Sequence, residues 1–93
     1  MNKLNIHVPS SGTIVLATAG KEKNRYYVIL KSEDEYVYLS DGKRRGILNP
    51  KKKKLKHVAL TDVCDEYIFT KISEGAEVTN KEIKRFFIFT PNV

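Results

Sequence analysis

The chain has 93 residues, of which 41% are hydrophobic and 30% are charged. This size and composition predict one small globular domain with a modest core, and no apolar run approaches the ~20 residues that span a bilayer. A single cysteine excludes an intramolecular disulfide and a cysteine-based metal site, and the N-terminal residues lack the apolar stretch of a signal peptide. We therefore expect a cytoplasmic protein.

The first two-fifths of the chain has the pattern of β-strands. After residues 1–10, which we expect to be a mobile leader, three apolar, β-rich segments follow at intervals of about ten residues with turn residues between them. In the second segment alternation places Tyr27 on one face and Val28 on the other. We expect both faces of this strand to be covered, as in a small barrel or sandwich.

The middle of the chain begins with Asp41-Gly42, a strong signal for a hairpin turn. The segment 44–48 after it could be a short return strand, which the Asn-Pro pair that follows would end. The lysine-rich segment 51–56 cannot be buried and should lie in solvent or on a partner. Residues 57–63 have the pattern of a last strand.

The C-terminal part of the chain favours helices. Residues 65–72 fit a short helix or a strand, and we favour a helix. Thr79 and Glu82 have the spacing of a capping box, in which each side chain satisfies the other residue's backbone N–H. Ile83 and the phenylalanines after it form one apolar stripe, which predicts an amphipathic helix over about residues 80–89 that packs on the barrel.

Positive charge is concentrated in one segment, residues 42–57. It contains eight of the 17 Lys and Arg residues and no carboxylate, so the rest of the chain has nine basic and eleven acidic residues. A segregated basic block indicates a site for a polyanion, and nucleic acid is the first candidate. An anionic membrane surface would also suit lysines, but no basic amphipathic helix or lipidation signal adjoins them, so we expect no membrane partner.

Residues 12–31, GTIVLATAGKEKNRYYVILK, resemble a KOW motif, the strand–loop–strand element of SH3-like barrels in ribosomal proteins and transcription elongation factors. Gly20 matches the central glycine of the motif, where the chain turns with positive φ and the backbone can approach a partner closely. Asn24 stands where relatives usually have a second glycine. Asparagine tolerates the left-handed region, so we expect the turn to survive.

The sequence after this motif resembles bacterial KOW proteins of the L-fourteen-e ribosomal type. Those relatives have an aspartate–glycine turn, an arginine three residues after the glycine, a proline followed by lysines, and a Lys-His pair. The resemblance covers about residues 12–60, and the VTNKEIKR tail also looks like the family's closing helix. The matching positions are Asp41, Gly42, Arg45, Pro50, Lys51, Lys52, Lys53, Lys56 and His57.

The resemblance implies a mainly β fold, a small SH3-like (KOW) β-barrel over residues 11–62 with a basic loop at 43–57. A C-terminal extension, residues 63–93, would carry the short α-helix. It also implies a sequence-tolerant RNA-binding protein of the ribosome or its assembly, with structured RNA, chiefly ribosomal RNA, as partner and ribosomal proteins as further partners. The predicted turn residues are Gly20, Asn24, Asp41 and Gly42.

The candidate RNA-binding residues are the cations of the KOW-like loop and of the basic block, together with one histidine. Lysines would act as point charges on phosphate, whereas the arginines could fork onto phosphate or stack on a base, and the histidine could stack or donate to phosphate. The set is Lys21, Lys23, Arg25, Lys43, Arg44, Arg45, Lys51, Lys52, Lys53, Lys54, Lys56 and His57.

Several candidates have a plain structural interpretation as well. Lys43 and Arg45 flank a turn, where solvated charges are common, and His57 could simply begin the last strand and bond a carbonyl. The four ammonium groups of residues 51–54 repel one another and should contribute nothing to the fold, so they predict contact with a polyanion.

Four tyrosines, Tyr26, Tyr27, Tyr36 and Tyr38, lie on the predicted strands at alternation typical of a core. We expect at least two of them to fill the barrel, and an exposed one could stack on a base.

Two other function classes compete with RNA binding. A KOW barrel could instead be a protein-interaction module that contacts ribosomal proteins or RNA polymerase through an apolar barrel face and the Phe-rich tail. DNA binding is less favoured because no recognition helix is evident. The sequence has no Gly-rich phosphate loop, no metal-ligand set and no nucleophile beside a base, so we expect no enzymatic activity, cofactor, metal or small-molecule substrate.

Overall fold

The computed structural model describes residues 9–89, with side chains for residues 9–87. The predicted leader therefore lies almost wholly outside the described residues. The elements in chain order are β1 (Thr13–Ala17), β2 (Tyr26–Glu33), β3 (Tyr36–Ser40), β4 (Lys51–Lys54), one turn of 3-10 helix (Leu55–His57), β5 (Val58–Cys64), α1 (Glu66–Ser73) and α2 (Asn80–Phe89).

The five strands form one antiparallel sheet in the order β4-β3-β2-β1-β5. The two edge strands, β4 and β5, follow each other in the chain, and the 3-10 turn carries the chain from one edge to the other. Within the described residues these two edges are not hydrogen-bonded to each other, so the sheet is open. The prediction of a mainly β fold with a C-terminal helix is confirmed at this level.

Strand β2 is apolar on both faces because each face covers a different core. Tyr27 and Ile29 belong to a core on one side of the sheet. Val28 belongs to a second core, in which Ile68 of α1 and Ile83 of α2 are also buried. The prediction that both faces of this strand are covered is confirmed, and the helices are the cover on the second face.

Both helices begin at side-chain caps. The Asp65 carboxylate accepts hydrogen bonds from the backbone N–H groups of Tyr67 (3.0 Å) and Ile68 (3.2 Å), which starts α1 where a helix was favoured. At α2, Thr79 Oγ1 accepts from Glu82 N (3.2 Å), and Glu82 Oε1 accepts from Thr79 N (2.9 Å). The predicted capping box is confirmed.

Glu82 also joins the two helices to each other. The Tyr67 hydroxyl and the Lys71 ammonium of α1 both donate to its carboxylate, the latter over 3.0 Å. The hydrogen bonds from Tyr67, from the Thr79 backbone and from Lys71 lower the pKa of Glu82 to about 2. The hydrogen bond to Glu82 raises the pKa of Lys71 in turn. The helix pair is therefore fixed by a charged contact as well as by its core.

The prediction that the basic block forms one loop over residues 43–57 is wrong. Residues 44–48 form turns, so the proposed return strand is wrong. Instead Lys51–Lys54 forms β4, which pairs with β3 so that Val37 lies opposite Lys53. The open edge of β3 supplies backbone partners to any adjacent segment, and lysines are a usual protection of edge strands.

Candidate nucleic-acid interface

A cleft of about 670 Å³ lies between the loop that precedes β2, the loop that follows β3, and helix α2. Three residues predicted to bind RNA, Arg25, Lys43 and Arg44, meet there although Arg25 is distant in sequence from the other two. The cleft is lined by Arg25, Tyr26, Asp41, Lys43, Arg44, Lys84 and Phe87.

The loop after β3 is folded by Asp41. Its Oδ1 accepts hydrogen bonds from the backbone N–H groups of Lys43 (2.8 Å) and Arg45 (3.0 Å), and Ser40 Oγ donates to the Arg45 carbonyl (2.6 Å). Asp41-Gly42 therefore begins a compact loop, and the strand that returns beside β3 after it is β4 and not residues 44–48. The turn holds the exposed side chains of Lys43 and Arg44 at the cleft.

Gly42 places this loop directly on α2. Its φ is +73°, and an added Cβ would lie 2.5 Å from the Asn80 carbonyl and 3.1 Å from Lys84 Cγ. Asn80 Oδ1 also accepts a hydrogen bond of 2.8 Å from Ile47 N. The loop and the first turns of α2 are thus in close contact, which brings Lys84 to the cleft.

The cations of the cleft, Arg25, Lys43, Arg44 and Lys84, form no ion pair with any residue that the structure describes. The one carboxylate in the lining is that of Asp41, which already accepts two backbone hydrogen bonds. The cleft therefore has a surplus of positive charge that an anion can neutralise.

Two aromatic side chains add apolar surface to the cleft. Tyr26 is 38% exposed, whereas Tyr27, on the opposite face of β2, is 1% exposed. Phe87 is half-buried and packs edge-to-face on Phe86 at 5.4 Å between ring centroids. Of the four strand tyrosines only Tyr27 is buried, so the expectation that at least two fill the core is wrong.

A second group of cations surrounds Glu22, which is 9% exposed. Lys53 Nζ donates to Glu22 Oε1 over 3.2 Å, and Lys51 Nζ and Arg45 Nη2 lie 3.8 and 3.9 Å from Oε2. Burial alone would raise the pKa of Glu22, but the hydrogen bonds from Lys53 and the backbone and the charge of Lys51 hold it below its ordinary value. The carboxylate stays ionised among three cations.

The Glu22 contacts correct the prediction for the lysine run. Alternation along β4 turns Lys51 and Lys53 toward the sheet face of their partners Leu39 and Val37, where Glu22 meets them. Lys53 is only 8% exposed, so the expectation that these lysines contribute nothing to the fold is wrong. A lone acid in an otherwise basic loop is the sequence signal that was missed.

The KOW-like loop turns as expected at Gly20 and Asn24, whose φ angles are +80° and +72°. A Cβ on Gly20 would lie 3.1 Å from Lys53 Nζ and 3.5 Å from Glu22 Oε1. The absent side chain therefore leaves room for the Lys53–Glu22 pair. Lys21 and Lys23, in the same loop, are exposed.

The other face of the sheet carries cation–π contacts. Lys52 Nζ lies 4.4 Å from the ring centroid of Tyr36, and Lys31 Nζ lies 4.8 Å from that of Tyr38. Both rings are half-buried. These contacts occupy the ring faces with ammonium groups of the protein itself.

Three remaining candidates lie near the 3-10 turn and do not line the cleft. Lys56 is exposed, and Lys54 and His57 are half-buried. The His57 carbonyl accepts a hydrogen bond of 2.9 Å from Thr18 N at the junction with β5. His57 ends the 3-10 turn and does not begin β5, and this bond uses its backbone carbonyl as acceptor, whereas a bond to a carbonyl was considered for it.

Lys84 and Phe87 on the cleft wall were not predicted to contact RNA, whereas Tyr26 was one of the four tyrosines of which an exposed one could stack on a base. Lys84 could have been found from the polar side of the amphipathic α2, but only if the helix were known to pack beside the loop at residues 41–45. That neighbourhood depends on Gly42 and is not visible in the periodicity.

Comparison with known proteins found no protein-family model and no curated protein that matches this chain. Over residues 9–89 the helices are too short and too polar to cross a membrane. The same part of the chain contains no group of three or more His, Cys, Asp or Glu side chains that could hold a metal ion.

Proposed function

We propose that this protein binds structured RNA, with ribosomal RNA as the expected target, through phosphate and shape contacts. The observation that carries the proposal is the cleft, where Arg25, Lys43 and Arg44 converge with Lys84 and form no ion pair with a described residue. These cations come from three separate segments, so the fold assembles a polyanion site that no single segment contains.

We also propose that the sheet, whose two edges are not hydrogen-bonded to each other in the described residues, has the strand arrangement of an SH3-like barrel of the KOW type. The strand order, the single 3-10 turn between the edge strands, and the loop with Gly20 at positive φ between β1 and β2 all support it. In this arrangement the loop before β2 and the loop after β3 both reach the cleft, as an RNA-binding surface built from barrel loops requires.

The chemistry of such a site is electrostatic. Each phosphate contact releases condensed counterions, so log K falls with log salt by roughly 0.7–0.9 per contact. The planar guanidinium groups of Arg25 and Arg44 can hold two phosphate oxygens at once, whereas Lys43 and Lys84 act as point charges. Binding of this kind depends on the spacing of phosphates more than on base sequence.

A protein-interaction module that contacts ribosomal proteins or RNA polymerase is the second candidate function. It is favoured by Leu48, which is 94% exposed beside an apolar groove of about 410 Å³. Phe86 and Phe87 pack on the core, so a partner would use this groove and not the Phe-rich helix. Binding there would depend little on salt.

Salt titration of binding to a ribosomal RNA fragment tests the proposal. The triple variant R25A/K43A/R44A should weaken binding and reduce the salt slope by roughly 2–3. The matched control K31A/K81A/R85A removes the same charge from exposed positions outside the cleft and should change the slope much less.

Two results would refute RNA binding through the cleft. One is wild-type affinity for RNA that does not change with salt, and the other is an equal effect of the two triple variants. In cells, nuclease treatment should release the protein from large ribosomal subunits. Association that resists nuclease would favour the protein-interaction candidate.

A further inference from the structure

The cleft contains aromatic surface that contacts to a phosphate backbone alone do not require. We propose that it binds one unpaired nucleotide of the RNA, with the base against Tyr26 and the adjoining phosphates held by Arg25, Arg44 and Lys84. This inference rests on the proposed function and narrows it. The preferred RNA is then a bulge, a loop or a strand end, and not a continuous duplex.

Tyr26 is well placed to receive a base. It begins β2, and its backbone pairs with Leu16 of β1, so the ring stands on a rigid element. Tyr26 is 38% exposed, whereas the next residue of the strand, Tyr27, is fully buried. Bases stack on such rings with roughly 1–3 kcal/mol per base, whereas in an A-form duplex the base faces are covered by their neighbours.

Tyr26 also differs from the two half-buried tyrosines of the sheet, Tyr36 and Tyr38. Tyr36 and Tyr38 already carry the ammonium groups of Lys52 and Lys31 on their rings, at 4.4 and 4.8 Å. No cation–π contact involves Tyr26 within the described residues. A base can therefore stack on Tyr26 without displacing an internal contact.

Cations from three segments line the same cleft as this ring. Arg25 precedes it in the chain, Arg44 comes from the loop after β3, and Lys84 comes from α2. A cleft of about 670 Å³ is within the range of ~300–1,000 Å³ that small-molecule ligands occupy, and a nucleotide is a ligand of that class. Cations from three segments that share a cleft with one aromatic ring match a base flanked by two phosphates.

The walls of the cleft are held at a fixed separation. Gly42 touches α2 so closely that no side chain fits between them. The hydrogen bond from Ile47 N to Asn80 Oδ1 is a second contact between the same loop and α2. Helix α2 is therefore part of the nucleotide site, through Lys84 and Phe87, besides covering the second core.

The test compares two RNA hairpins that differ by one unpaired nucleotide in the stem. Wild-type protein should bind the bulged hairpin about tenfold more tightly than the perfect one, the size expected from one stacked base. Y26L should bind the two hairpins with equal affinity, and Y26F, which keeps the ring, should retain the preference. Fluorescence of 2-aminopurine at the unpaired position should fall on binding to wild type and Y26F.

Helix α2 supplies a second pair of variants that does not depend on Y26L folding. K84A should reduce affinity for the bulged hairpin severalfold more than K81A does, since Lys81 is exposed on the same helix but outside the cleft. Equal, salt-dependent binding of both hairpins by the wild type would overturn the inference and leave RNA binding intact. Absence of salt-dependent binding to either hairpin would refute the proposed function itself.

Discussion

The two halves of the basic segment differ in whether their positive charges are paired within the protein. Lys43 and Arg44, in the loop after β3, are exposed, line the cleft and form no ion pair with a described residue. Lys51 and Lys53, in β4, face Glu22, and Lys53 is nearly buried. Arg45 lies between these groups, in the loop by sequence but 3.9 Å from Glu22.

This difference shows that a count of charges does not tell which charges are available to a partner. Two conditions decide availability here: the alternation of an edge strand, which turns every second lysine inward, and a single carboxylate from a distant loop. The sites with the highest density of lysine in the sequence are therefore not the best candidates for RNA contact.

The largest expected effect separates the two halves directly. K43A/R44A and K51A/K53A each remove two positive charges, but the first should lower RNA affinity on the order of tenfold and reduce the salt slope by roughly 2, because both residues contact phosphate in the proposed complex. The second should chiefly lower the free energy of unfolding. Salt titrations and urea denaturation of both variants provide the measurement.

The opposite pattern would contradict the division of the segment. If K51A/K53A reduced RNA affinity as much as K43A/R44A while unfolding at the same urea concentration as the wild type, the Glu22 contacts would not restrain these lysines. The lysine run would then be the main RNA contact, as the charge count alone suggests.

Local patterns predicted the parts of this fold that local physics decides. The two apolar faces of β2, the left-handed turn at Gly20 and Asn24, and the Thr79–Glu82 capping box each depend on residues within one turn or one strand. The turn and the capping box involve residues close in sequence, and the two faces of β2 follow from alternation, so spacing alone predicts all three.

Non-local pairing decided the parts that the sequence did not predict. Strand β4 has no apolar alternation and exists because the β3 edge offers backbone partners. Glu22 meets Lys53 across a separation of 31 residues, and Lys84 reaches the cleft through a contact between Gly42 and Asn80. These encounters depend on topology, which residue spacing does not encode.

Removal of the Glu22 charge should act chiefly on the stability of the fold. E22Q leaves Lys53 nearly buried without its counter-charge, so we expect a loss of about 3 kcal/mol in the free energy of unfolding. It also frees Lys51 and Arg45, so RNA affinity at low salt should rise. The control E35Q removes an exposed carboxylate that forms no ion pair in the described part of the chain. Equal stability of E22Q and E35Q would show that the cluster does not stabilise the fold.

Two glycines with nearly the same φ angle test the close contact between the loop after β3 and α2. Gly42 and Gly75 have φ of +73° and +76°, but a Cβ on Gly75 would meet nothing within 4 Å. G75A should lose about 1–2 kcal/mol through left-handed strain alone. G42A should lose about 1–3 kcal/mol more, because the new methyl group collides with α2. Thermal unfolding of both variants measures the difference in stability. Equal losses of stability would show that the loop after β3 and α2 are not in close contact.

Acid should remove the contribution of the Glu22 carboxylate to the free energy of unfolding. The two halves of the basic segment should then differ less in their effect on stability. Because the folded-state pKa of Glu22 lies below its ordinary value of 4.5, its contribution is present above pH 4.5 and is lost as pH falls through the lowered pKa. The stability gap between wild type and E22Q should therefore narrow below pH 4.5. Glu82, with a pKa of about 2, loses its contribution in both proteins over the same range and cancels from the gap. A gap that stays constant from neutral pH to about pH 3 would show that Glu22 is not held as an anion by these cations.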